Sequence, residues 1–66
     1  MRIEVNGTPR EAPDALTVDA LLQDLGLAGR RVAVEVNAAI VPRSEHSGHA
    51  LRDGDRIEVV HAIGGG

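Results

Sequence analysis

The chain contains no cysteine, no lysine and no phenylalanine, tyrosine or tryptophan. Without cysteine there is no disulfide, no cysteine-based zinc site and no thiol nucleophile. Without lysine there is neither the phosphate-gripping lysine of a P-loop nor Schiff-base chemistry. All seven basic residues are arginine, a bias that codon usage in a GC-rich genome would produce. Without aromatic residues, the core must be assembled from Val, Ile, Leu and Ala. No apolar run approaches the roughly 20 residues of a membrane span, and no charged-then-apolar leader is visible, so a cytoplasmic protein with no membrane contact is expected. A net charge of -3 supplies no basic stripe to displace counterions from phosphates, which argues against nucleic acid and favours a partner with a basic or mixed surface.

What is present fits one small domain over residues 1–66. A chain of this size buries only about 60 % of its unfolded surface, so modest stability is expected. In "MRIEVNG", Ile3 and Val5 alternate with Arg2 and Glu4, the pattern of a strand with one buried face. Asn6-Gly7 tolerates the positive φ of a tight hairpin turn, and Thr8 to Ala12 is the returning strand. Pro9 lacks a ladder donor and places that strand at an edge.

The period then changes. Val18, Leu21, Leu22 and Leu25 fall on one face of a helix of about two and a half turns. Thr17 is its cap, Asp19 suits its positive end, and Gly26 stops it with Leu27 folded back. "RVAVEVN" returns to period two, with Val32, Val34 and Val36 inward and Ala33 and Glu35 outward. Asn37-Ala38-Ala39 turns the chain into Ile40-Val41, which Pro42 closes. "RSEHSGHA" reads as an irregular connection with one short helical turn, anchored by Leu51. Asp53-Gly54 turns into a last strand, Arg56 to Val60, with Ile57 and Val59 inward.

One helix and an order β-β-α-β-β-β require the helix to cover one face of one mixed sheet. A right-handed crossover from the first hairpin to the third strand lays it across the inner face. This is an α+β, β-grasp (ubiquitin-like) fold with four to five strands, followed by a flexible glycine tail over 63–66.

"AIGGG" is the unusual segment. Glycines let a chain approach another surface without a Cβ in the way. From Ala62 to Gly66 such a tail reaches roughly 16–18 Å when extended, enough to thread a carboxylate into a narrow pocket of another protein. A frayed terminus is the alternative, and the β-grasp pattern before it makes that the weaker reading. Asp53-Gly54-Asp55 lacks the further oxygen ligands of a calcium loop and reads as a turn. His46 and His49 have no third partner for a metal, so no metal site is expected and both read as solvated loop histidines. His61, beside the tail, reads as a surface residue. Arg30, Arg31 and Arg43 read as solvated charges. Ala33, Glu58 and Val60 on the outer face, continued by Ala62 and Ile63, are a candidate docking patch. No paired carboxylates, nucleophilic triad or nucleotide loop suggests an enzyme: any chemistry would be done on the chain rather than by it.

The segments "VNG", "VAVEVN", "IVPRSE", "LRDGDRIEVV" and the final "AIGGG" together resemble the bacterial ThiS family, the sulfur carriers of thiamine biosynthesis. The resemblance runs along essentially the whole chain. Asn37-Ala38 departs from the family's frequent Asn-Gly, and His46 stands where an aromatic is common. The resemblance implies a protein co-substrate with no bound cofactor, acted on by partner enzymes. A ThiF-type adenylyltransferase would use ATP to join the Gly66 carboxylate to AMP. Sulfur from a cysteine desulfurase or other persulfide donor would then replace the oxygen. The resulting thiocarboxylate would deliver sulfur to thiazole synthase (ThiG). Gly65 and Gly66 match the family's terminal pair, and Gly64 extends it. A chain free of lysine and cysteine also carries no side-chain amine or thiol to capture its own activated end.

Two other readings share the fold. The small subunit of molybdopterin synthase uses the same thiocarboxylate, but often has prolines before its terminal glycines, and "VVHAIGGG" has none. A ubiquitin-like modifier would be conjugated through Gly66 to lysines of its targets. A passive binding module, with an incidental tail, is a third.

Overall fold

The computed structural model describes residues 1–61, and the expectations for Ala62, Ile63, Gly64, Gly65 and Gly66 lie outside the described residues. Strands β1 (Arg2–Val5) and β2 (Thr8–Glu11) form a hairpin, followed by helix α1 (Val18–Asp24). Strands β3 (Val32–Val36) and β4 (Ala39–Val41), a 3-10 turn at Arg43–Glu45 and strand β5 (Arg56–His61) complete the order. The five strands form one sheet in the order β2-β1-β5-β3-β4. β1 and β5 run parallel, and the other pairs are antiparallel. This is the β-grasp arrangement, with Pro9 in the edge strand β2 where its missing N–H costs no ladder bond.

Alternation decides the two faces. Ile3, Val5, Val34, Val36, Ile57 and Val59 lie buried beside Val18, Leu21 and Leu22 of α1, with Ala12, Val41 and Leu51 closing the edges. The core is wholly aliphatic.

Helix α1 is seven residues long, about two turns, and shorter than the periodicity suggests. It stops at Asp24 because Gly26 takes a φ of +74°, and the Gly26 and Leu27 amides donate to the Gln23 and Leu22 carbonyls. At the other end, Thr17 Oγ1 accepts from the Ala20 amide. The Val18 and Asp19 amides donate to the His49 and His46 carbonyls. The loop after β4 thereby satisfies helix donors that would otherwise be orphaned.

That loop corrects one expectation. His46 is buried, with 6 % of its surface exposed, and its Nε2 donates to the Val41 carbonyl at 3.0 Å. It is a packed, hydrogen-bonded residue on the core edge rather than a solvated one, while His49 is half-buried. The 3-10 turn swings His46 inward against the end of β4, a placement no local periodicity reports. Asp53-Gly54-Asp55 is a turn, as expected: Asp53 Oδ1 accepts from the Arg2 amide and Asp55 Oδ2 from the Arg52 amide.

Candidate functional site: the outer sheet face and the end of the last strand

The candidate site is built on β5, whose direction leads to the glycines. β5 is the central strand and is paired on both sides. Ile57, with none of its surface exposed, and Val59 pin it beneath the helix. Its ladder with β3 runs from Val36↔Ile57 to Val32↔His61, so the strand is held up to the last described residue. The parallel ladder with β1 ends earlier, at Val5↔Ile57.

Asn6 takes over where that ladder stops. Its backbone has a φ of +50°, and with Gly7 at +83° forms the primed turn expected of Asn-Gly. The turn aims the Asn6 side chain along β5. Oδ1 accepts from the Val59 amide at 2.8 Å and Nδ2 donates to the Val59 carbonyl at 3.3 Å. One side chain therefore imitates a strand neighbour and satisfies both polar groups of Val59, two positions before the end of β5. The sequence reading assigned Asn6 to the turn and missed this brace. The signal was there only in its chemistry: an amide donates and accepts, which an aspartate in the same turn could not do.

The opposite turn uses the same device. Asn37 and Ala38 have φ of +52° and +70°. Asn37 Oδ1 accepts from the Arg56 amide and Nδ2 donates to Asp55 Oδ1. Ala38 carries a Cβ in the left-handed region, so the departure from Asn-Gly is a real local cost.

Ala33, Glu58 and Val60 all lie exposed on the outer face, as expected. Ala33 is directly opposite Val60 in the β3–β5 register, and Glu58 is opposite Glu35. Glu35 is in turn opposite Ile40 of β4. Among the described residues, Val60 and Ile40 are the large hydrophobics left exposed, at 54 % and 68 %. Glu35 and Ile40 were not singled out from the sequence, because their neighbours are set by register across strands. His61, Arg30, Arg31 and Arg43 are exposed. Among the described residues no group of His, Cys, Asp and Glu is placed to hold a metal ion, and no helix is long and apolar enough to cross a membrane.

The geometry defines a class: a small β-grasp body whose central strand is braced on both sides up to Val59 and on the β3 side up to His61. The ThiS family model matches residues 3–66. The chain belongs to the ThiS family. It is 33 % identical to the Escherichia coli sulfur carrier protein ThiS over the full length of both chains. The crystal structure of a thiamine biosynthesis protein (ThiS) from Geobacter metallireducens superimposes with a TM-score of 0.87 at 33 % identity, covering both chains completely. A thiazole synthase from Paramagnetospirillum magneticum is 47 % identical over all of this chain. The chain spans 20 % of the length of that relative, and the same share of a thiazole synthase from Magnetococcus marinus.

Proposed function

We propose that this chain is a sulfur carrier for thiazole formation in thiamine biosynthesis and that the Gly66 carboxylate is the group that carries the sulfur. A carboxylate is a poor electrophile, because expelling its oxygen unaided is too costly at neutral pH. A ThiF-type enzyme removes that obstacle with ATP. The carboxylate oxygen attacks the α-phosphorus, pyrophosphate leaves, and the terminus becomes an acyl adenylate. The terminal sulfur of a cysteine persulfide, supplied through a cysteine desulfurase, then attacks the carbonyl carbon and AMP departs. A second thiol attacks the sulfur of the resulting acyl disulfide that belongs to the donor cysteine. A disulfide leaves and Gly66 retains the thiocarboxylate. That soft nucleophile is the form delivered to thiazole synthase.

Membership of the family through residue 66, glycine run included, is the observation that carries this reading. The similarity to thiazole synthases in two organisms supports ThiG as the receiving partner. In this scheme the folded body catalyses nothing. It fixes β5 through Asn6 and the β3 ladder, so that the end of the strand is presented to the partner already ordered. Ala33, Glu58 and Val60, with Ala62 and Ile63, are the proposed docking surface beside that tail.

The test is intact mass spectrometry after incubation with the cognate adenylating enzyme, ATP, a persulfide donor and a thiol. Replacement of one terminal oxygen by sulfur is the expected result. A chain that keeps its mass under conditions where the enzyme is active would refute the carrier reading.

A further inference from the structure

A cleft of about 160 Å³ opens between the start of α1, the turn ahead of β3 and the 3-10 turn after β4. Asp19, Arg30, Arg43, His46 and Ser47 supply its polar lining, and the buried Leu22 gives it an apolar wall. Both arginines stand on hydrogen-bonded turns: the Arg30 amide donates to the Leu27 carbonyl, and the Arg43 carbonyl accepts from the His46 amide. Neither makes an ion pair among the described residues. With His46 neutral, the lining sets two cations against the single carboxylate of Asp19. His46 is the unusual member, because only 6 % of its surface is exposed. Its Nε2 is committed to the Val41 carbonyl, which can only accept. Nε2 therefore holds the proton of the neutral ring, and Nδ1 is a bare acceptor with no partner among the described residues. No side-chain nitrogen among those residues is sealed from solvent without a partner, so Nδ1 reaches solvent, and the cleft is the opening that His46 lines.

We infer that this cleft is a binding site for inorganic hydrogen phosphate. The lining makes two demands at once. Arg30 and Arg43 call for negative charge on oxygens that accept from guanidinium groups. The bare Nδ1 of His46 calls for a donor. Hydrogen phosphate meets both: its P–OH donates to Nδ1 while its other oxygens accept from the two arginines and the Ser47 hydroxyl. Sulfate, a carboxylate and the dianion of a phosphate monoester bring charge but no hydroxyl. A cation would face two arginines against one carboxylate. Size agrees, since about 160 Å³ lies well below the roughly 300–1,000 Å³ of pockets that enclose drug-sized ligands and suits a small tetrahedral ion. Asp19 repels the ion and so weakens the site, an effect that can be removed by substitution. The cleft shares no residue with the docking surface proposed above, and the inference does not depend on the carrier reading.

The experiment titrates the nitrogen-labelled full chain with inorganic phosphate in mildly alkaline, phosphate-free buffer and follows the histidine ring resonances by NMR. The His46 Nδ1 signal is expected to move more than those of His49 or His61 and to saturate with an apparent Kd of about 1 mM or tighter. Arg30→Gln/Arg43→Gln, at exposed positions, is expected to weaken binding about tenfold or more without lowering the melting temperature. Asp19→Asn is expected to strengthen binding about threefold. Arg31→Gln, an exposed neighbour outside the cleft, is expected to change it by no more than about twofold. Sulfate and methyl phosphate are expected to bind about fivefold more weakly than inorganic phosphate, because neither donates to Nδ1. The absence of a saturable shift at His46 overturns the inference. So does unchanged binding in the Arg30/Arg43 variant, an equal loss in Arg31→Gln, or sulfate binding as tightly as phosphate.

Discussion

The two halves of the outer sheet face share one set of strands and have opposite characters. Around β1 and β2 the exposed charges neutralise one another across the ladder, Arg2 with Glu11 and Glu4 with Arg56. Around the end of β5, with β3 and β4, the register opposes Glu35 to Glu58 and leaves Val60 and Ile40 uncovered. The difference shows that exposure alone identifies nothing. Whether a surface charge has a partner within the fold is what separates the two halves.

The comparison can be broken most severely at its far end. Deleting Gly65 and Gly66 is expected to abolish oxygen-for-sulfur exchange in the mass assay while leaving the thermal unfolding curve in place, because the core is closed by residues from Ile3 to Val59. The support under both halves is the next target. Ile57→Ala empties a fully buried site in the central strand, with an expected loss of about 2–5 kcal/mol in urea unfolding. That approaches the whole stability of so small a domain.

Asn6→Ala separates the halves more gently. It leaves the Val59 amide and carbonyl without their side-chain partner and puts alanine, which tolerates a positive φ less well than asparagine, at a φ of +50°. A loss of about 1–3 kcal/mol is expected, with faster hydrogen exchange at the Val59 amide. Ala38→Gly sharpens the comparison in the other direction. Relieving the left-handed alanine between β3 and β4 is expected to raise stability by about 0.5–1 kcal/mol, read as a higher urea midpoint. The smallest effect belongs to the matched half. Arg2→Gln removes an exposed ion pair and is expected to shift stability by no more than about 0.5 kcal/mol, with sulfur loading unchanged in the mass assay.

Most of the fold was legible residue by residue. The period-two runs at Arg2–Val5, Val32–Val36 and Arg56–Val60 and the period change at Val18 are local signals, and the last strand runs one residue further, to His61. So are the turn residues Asn6, Gly7 and Gly26 that punctuate them. The glycine run was equally plain, since its meaning lies in composition. His46 was misread because burial of a loop residue depends on where the loop returns, and here it returns to the end of β4 and the cap of α1. Ala15, at a φ of +59°, was also invisible, because alanine carries no turn signal of its own. Glu58 was placed on the correct face, but its opposition to Glu35 was not, because strands distant in sequence meet only through the register of the assembled sheet.

By itself, then, the sequence determined which strand residues alternate inward, where the helix begins, and that residues 64–66 carry no side chains. Those properties follow from alternation, capping and backbone freedom, which act over a few neighbouring residues. The tertiary structure alone decided which carboxylates find a cation and which stand against each other. It also decided that Asn6 completes β5 and that His46 packs inside. Each of these is a contact between distant parts of the chain, and its partner exists only once the sheet has closed.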